Sequence, residues 1–134
     1  MMATGRCYCG SLRYEITEEP VFNGQCHCRE CQYISGGSAN VVMGVPSQGF
    51  SYTAGEPATF IRDDLETPVT REFCGKCGTH ILARPPGMGM DVVKVGTLDD
   101  PSQYSGPQIA IFMCDAQPYH VLPEGVTGFD KTPG

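Results

Sequence analysis

The sequence predicts a mainly β protein with very short helices, and three observations lead there. Apolar and polar residues alternate with a period of two from Leu12 to Thr17, and other strand-like runs are short. The 17 glycines and 11 prolines among 134 residues cut the chain into short pieces. No stretch sustains the 3.6-residue apolar period of a long helix.

The elements follow in order. Leu12, Tyr14 and Ile16 alternate with Arg13, Glu15 and Thr17 between Gly10 and Pro20, the pattern of a half-buried strand. Further strands are expected over Ala39 to Val45, Ala58 to Ile61, Val69 to Phe73, Thr79 to Arg84, Asp91 to Leu98 and Gln108 to Met113, with Gly or Pro in nearly every gap. Helical structure is expected only as a turn or two from Cys28, and after Asp99, where Asp-Asp-Pro resembles a helix entry. The residues from Pro123 onward read as loop.

Composition excludes several function classes. A net charge of −6, with nine basic residues in no run or stripe, argues against nucleic acid as a partner. No apolar run approaches the ~18 residues of a membrane span, so no membrane partner is expected. The start, MMATGRCYCG, lacks the charged-then-apolar pattern of a secretory leader. A cytoplasmic location is therefore expected, where thiols stay reduced and cysteine clusters bind metal rather than pair as disulfides.

Seven of the eight cysteines form three tight groups: Cys7 with Cys9, Cys26 with Cys28 and Cys31, and Cys74 with Cys77. The first group is expected at a strand start, where residues i and i+2 share a face. The third, FCGKCG, has the form of a zinc knuckle, in which glycine lets the backbone turn and aim amides at sulfur. Together these four thiolates complete a tetrahedral structural Zn2+ site.

The middle group, CHCREC, has one ligand too few. Cys26 and Cys28 share a face of an extended segment, and Cys31 returns to it if a helical turn begins at Cys28. Three sulfurs leave a fourth zinc position for substrate, water or a distant side chain, which makes this the catalytic candidate. His27, His80, His120 and Cys114 are the residues that could instead close it as a second structural site. His27 is the least suited, because it points to the opposite face, and Cys114 reads as a small core residue at a strand end. Two Zn2+ per chain are expected.

The order GRCYCGSLRYEI, GQCHCRECQYISG, REFCGKCGTHI and VVKVGTLDDPSQY resembles the glutathione-dependent formaldehyde-activating enzyme family, which includes the centromere protein V group. The resemblance spans 5–129 as one zinc domain and leaves 130–134 as a C-terminal tail. It implies a compact Mss4-like β fold, a structural zinc on Cys7, Cys9, Cys74 and Cys77, and a catalytic zinc on Cys26, Cys28 and Cys31. It further implies a carbon–sulfur lyase that joins a thiol, glutathione, to a small aldehyde, formaldehyde, giving an S-hydroxymethyl adduct. Tyr119 stands where the family often shows tryptophan.

Zinc-bound sulfur suits such a reaction, since an incoming thiol is readily deprotonated on the metal. His27 and Glu30 adjoin the site as candidate proton carriers. Two rivals remain open at this stage: a zinc-stabilised Mss4-like binding or chaperone module without catalysis, and a sulfoxide reductase using Cys114.

Overall fold

A computed structural model describes residues 1–133. Of the expected tail 130–134, Gly134 lies outside the described residues. In chain order the strands are β1 (Ala3–Arg6), β2 (Arg13–Ile16), β3 (Phe22–Cys26), β4 (Asn40–Pro46), β5 (Phe50–Ala54), β6 (Ala58–Ile61), β7 (Thr70–Phe73), β8 (His80–Arg84), β9 (Met90–Lys94), β10 (Ile109–Ile111) and β11 (Thr127–Gly128). The single α-helix among the described residues, α1, is Arg29–Ser35. The strands lie in two sheets, and the protein is mainly β, as the sequence predicts. No helix is long and apolar enough to cross a membrane.

The chain forms two compact units. The first comprises Met1–Phe22 and Met43–Tyr104. Here β1 and β2 pair antiparallel from Ala3 opposite Ile16 to Arg6 opposite Arg13, and β2 pairs with β5 on its other side. A meander joins β6, β7, β8 and β9 in antiparallel order. The alternation read from Leu12 to Ile16 is real: Leu12, Tyr14 and Ile16 are buried, and Phe50 stacks on Tyr14 with ring centroids 4.9 Å apart. Met43, Val45, Ile81, Leu82 and Val93 complete this core.

The same unit holds a part-buried ion network. Arg84 Nε donates to Glu72 Oε2 at 2.8 Å and Arg84 Nη1 to Asp91 Oδ1 at 2.7 Å. The Tyr52 hydroxyl donates to Glu72 and the Ser47 hydroxyl to Asp91.

The second unit comprises Asn23–Val42 and the residues from Ser105 on. Its framework is parallel: β10 lies between β3 and β11, with Ile109, Ala110 and Ile111 opposite Gly24, Gln25 and Cys26. Helix α1 starts where the sequence places it. Cys28 is its N-cap, the Cys31 N–H pointing at the Cys28 sulfur, and Gly36 closes it in the left-handed conformation that glycine adopts without strain.

Three local expectations need correction. Cys7 and Cys9 do not begin a strand; β1 ends at Arg6, and the Gly10 N–H closes a turn on Cys7 O with Gly10 at φ +83°. The expected strand over Asp91 to Leu98 gives way after Lys94 to a 3-10 turn, Val95–Thr97, in which the Thr97 hydroxyl caps Lys94 O. Cys114 is exposed, in a 3-10 turn entered through Phe112, whose positive φ of 56° turns the chain sharply out of β10.

Candidate metal centre

The four cysteines of the first unit converge although they come from two distant loops. After β1 the Gly10 turn folds Cys7 and Cys9 together, their sulfurs 3.7 Å apart. Between β7 and β8 the second loop folds by a Gly78 N–H bond to Cys74 O, with Gly78 at φ +79°, a conformation that favours glycine. The Tyr8 N–H donates to the Thr79 hydroxyl and ties the two loops together. Cys9 Sγ then lies 3.7 Å from Cys74 Sγ, and all four sulfurs lie within 4.8 Å of one another.

Those distances decide what the cluster can be. Zn–S bonds of about 2.3 Å in a tetrahedron place sulfurs about 3.8 Å apart, whereas a disulfide needs about 2.05 Å. All eight cysteines are free thiols. Backbone N–H groups point at the sulfurs, Leu12 at Cys7 and both Lys76 and Cys77 at Cys74, as they do around thiolates. Thr79 Oγ1, 3.2 Å from Cys77 Sγ, leads the interactions that pull this thiol down to about 5. Ser11 acts alike on Cys9, lowering it. The donor set fits a closed metal site such as structural Zn2+.

The second cluster is built on a strand end and a helix start. Cys26 closes β3, Cys28 caps α1, and Cys31 sits in its first turn. Their sulfurs also lie within 4.8 Å of one another, and no further His, Cys, Asp or Glu ligand atom among the described residues joins all three. The residues named as possible fourth ligands are accounted for elsewhere. His27 is buried but outside the cluster, His80 stacks on Phe73 in the other unit, and both ring nitrogens of His120 are hydrogen-bonded. Cys114 is exposed in its own turn.

Hydrogen bonds hold this geometry. Gln32, buried on α1, donates through Nε2 to His27 O at 2.8 Å and to Asp115 O at 2.9 Å, and Asp115 Oδ2 accepts from the Arg29 N–H. Asn40 Nδ2 donates to Cys31 Sγ at 3.4 Å. Sharing hydrogen bonds with Cys28 and Cys31, and then burial, push the Cys26 thiol up. Three crowded sulfurs cannot all ionise without a positive charge among them, and a divalent cation supplies it. The site therefore fits a zinc ion held by three thiolates.

Beside this cluster, and lined by none of its sulfurs, is a cavity of about 390 Å3. Gln25 and His27, which alternate with Cys26 and Cys28, form its floor; the Gly36–Ser38 turn and Tyr119–Val121 form its walls. Burial, and next the nearby His120 ring, hold the His27 imidazole below the ordinary histidine range. The facing of His27 was legible from alternation, but its convergence with Gln25 and His120 was not, because residues 119–121 are brought to β3 only by the tertiary fold.

Comparison with known proteins accords with these features. The family described as "Glutathione-dependent formaldehyde-activating enzyme" matches residues 2–115. Three similar curated proteins each bear the name "Putative glutathione-dependent formaldehyde-activating enzyme". The first, from Colletotrichum graminicola, is 30% identical over 93% of this chain and 68% of its own length. The second, from Sordaria macrospora, is 31% identical over 65% of this chain and 40% of its own length. The third, from Halomonas elongata, is 25% identical over 64% of this chain and 58% of its own length. This chain thus spans less than two thirds of the second and third. A crystal structure of a Rhodobacter sphaeroides protein shares the fold, with a TM-score of 0.62 and 16% identity over 78% of this chain and 96% of that one. With the fold, two convergent cysteine clusters and a match over most of its length, the chain belongs to the glutathione-dependent formaldehyde-activating enzyme family.

Proposed function

We propose that this protein joins a thiol, glutathione, to formaldehyde, giving S-hydroxymethylglutathione, as a zinc-dependent carbon–sulfur lyase working in either direction. Cys26, Cys28 and Cys31 are the residues of the reacting site, and Cys7, Cys9, Cys74 and Cys77 hold the structural zinc. The carrying observation is the three-sulfur cluster with no fourth protein ligand among the described residues. A cytoplasmic setting suits it, because both clusters need reduced thiols.

When bound, Zn2+ at the three cysteines supplies the positive charge that lets an approaching thiol ionise near neutral pH. The chain's own part is to converge three sulfurs and to leave one corner unfilled. The Asn40 amide and the Cys31 N–H, both directed at sulfur, draw off part of the negative charge that the cysteines share. The addition is redox-neutral: the thiol loses its proton, a sulfur–carbon bond forms as the carbonyl π bond breaks, and the new alkoxide takes up a proton from water. His27 is not the proton carrier in this scheme, because it lines a cavity that none of the sulfurs reaches.

Exchange NMR with 13C-formaldehyde and glutathione tests the proposal. Wild-type protein should speed adduct formation above the uncatalysed rate, and Cys28→Ser, with its fold intact, should not. Equal rates for the two proteins reject the catalytic reading in favour of a zinc-stabilised binding module.

A further inference from the structure

The corner between β3 and α1 decides how the three sulfurs meet. Cys26 belongs to the strand, Cys28 and Cys31 to the helix and its cap, and His27 alone joins the two pieces. The sulfur triangle is therefore only as fixed as the two peptide groups that flank His27. On the strand side the His27 N–H donates to Ile111 O at 3.0 Å, continuing the pairing of β3 with β10. On the helix side the first intrahelical acceptor is Cys28 O, which takes the Gln32 N–H at 3.0 Å, so the His27 carbonyl lies just outside the helical ladder. Its partner is a side chain: Gln32 Nε2 donates to it at 2.8 Å.

The single Gln32 amide serves four partners. It is 3% exposed, and besides His27 O its Nε2 donates to Asp115 O at 2.9 Å. Its Oε1 accepts from Arg29 Nη1 and, at 3.2 Å, from Gln117 Nε2. Two N–H donors and two lone pairs are the full capacity of a primary amide, and all are used. Asp115 in turn accepts the Arg29 N–H through Oδ2, one of the donors that a helix start leaves without an intrahelical partner. Strand end, helix start and the 3-10 turn Met113–Asp115 thus meet at one side chain. Other residue types do not supply this set: an ionised Glu has no donor, Leu has neither donor nor acceptor, Lys and Arg have no acceptor, and Asn is one methylene short.

We propose that Gln32 is the positioning residue of the reacting cluster, locking the His27 carbonyl to α1 so that Cys26 stays within metal-binding reach of Cys28 and Cys31. The role rests on the reading of that cluster as a zinc site at which the thiol reacts. Groups that orient metal ligands from one step out typically cost about ten- to hundredfold in metal affinity when removed. Here removal also leaves His27 O and Asp115 O without their donor.

The test uses the full chain loaded with Co2+ in both sites. Thiolate-to-cobalt charge-transfer absorption reports sulfur ligation, and a competing chelator measures the affinity of each site. Gln32→Leu and Gln32→Glu should both weaken the three-cysteine site by about ten- to hundredfold and reduce its charge-transfer absorption, with the four-cysteine site unchanged as the internal control. Gln32→Glu keeps the acceptor side, towards Arg29 and Gln117, and removes only the donors. Gln117→Ala leaves both donors of Gln32 in place and should bind both ions as wild type does. Equal weakening of both sites would overturn the proposal, because Gln32 would then serve the fold at large. A three-cysteine site as weak in Gln117→Ala as in Gln32→Leu would overturn it too, by assigning the effect to the 115–117 segment. A wild-type protein that takes up no second ion would sink the catalytic reading together with this one, whereas a second ion held equally well by wild type and both Gln32 variants would sink this one alone.

Discussion

The sulfurs of Cys9 and Cys74, 65 positions apart in the chain, stand 3.7 Å from one another. That is the edge of a ZnS4 tetrahedron and nearly twice a disulfide bond. The contact brings the loop after β1 to the loop before β8, and a metal ion held between them would clamp the first unit.

Loss of that clamp should be costly. Cys74→Ser is expected to lose one of two metal equivalents and to destabilise the protein by more than about 4 kcal/mol, the range for loss of a structural metal. Metal analysis and urea unfolding check this together. A mutant of wild-type stability would show that the four sulfurs do not bear on folding.

The two ions should leave at different rates. A site with three protein ligands exposes its metal to a competing chelator, while a site closed by four does not. Stopped-flow transfer to a coloured chelator should be biphasic, with one equivalent released at least about tenfold faster. Cys28→Ser should remove the fast phase alone. A single phase carrying both equivalents would mean that the clusters are equivalent.

Both clusters could be read from the chain because their cysteines come in tight groups, CxC, CxCxxC and CxxC, whose internal spacing is restricted by metal geometry. Strand β2 was legible for a similar reason: its alternation records which face is buried. Other strands left no such record. In β1 a glycine occupies the middle, and in β3 the run Phe-Asn-Gly-Gln-Cys has almost no strand propensity; pairing with β10 imposes its conformation. The cavity was illegible because Tyr119 and His120 reach it from about ninety positions away.

Gly5 shows what the sequence hid. A Cβ there would lie 2.2 Å from the Tyr14 ring and 2.5 Å from Thr97 O. The Tyr14 hydroxyl, 2.7 Å from Thr97 Oγ1, occupies the space a side chain would need. Gly5→Ala should therefore destabilise the protein by about 2 kcal/mol or more, as overpacked cores do. Unchanged thermal stability would mean that β1 can shift away from β2 without loss.

Asp91 makes stability depend on pH. Its side chain is buried, and burial raises its carboxyl above the ordinary value, outweighing the nearby Arg84 charge. Between the unfolded value of about 3.9 and the raised folded value, the native state holds the extra proton, so this residue's contribution to stability falls as pH rises. Above the folded value the penalty is constant. Asp91→Asn should remove that descending limb from the difference between mutant and wild-type unfolding curves. An ascending limb in its place would show that the Arg84 charge outweighs burial and holds Asp91 ionised, and a pH-independent difference would show that the two effects cancel.

Zinc-edge X-ray absorption on protein carrying two zinc ions counts sulfurs per metal. One site of four sulfurs and one of three give an average of 3.5, and glutathione should raise it towards 4 as its thiol takes the remaining corner. An average of 4 before glutathione is added, or 3.5 that glutathione leaves unmoved, would refute the asymmetry on which the proposed chemistry stands.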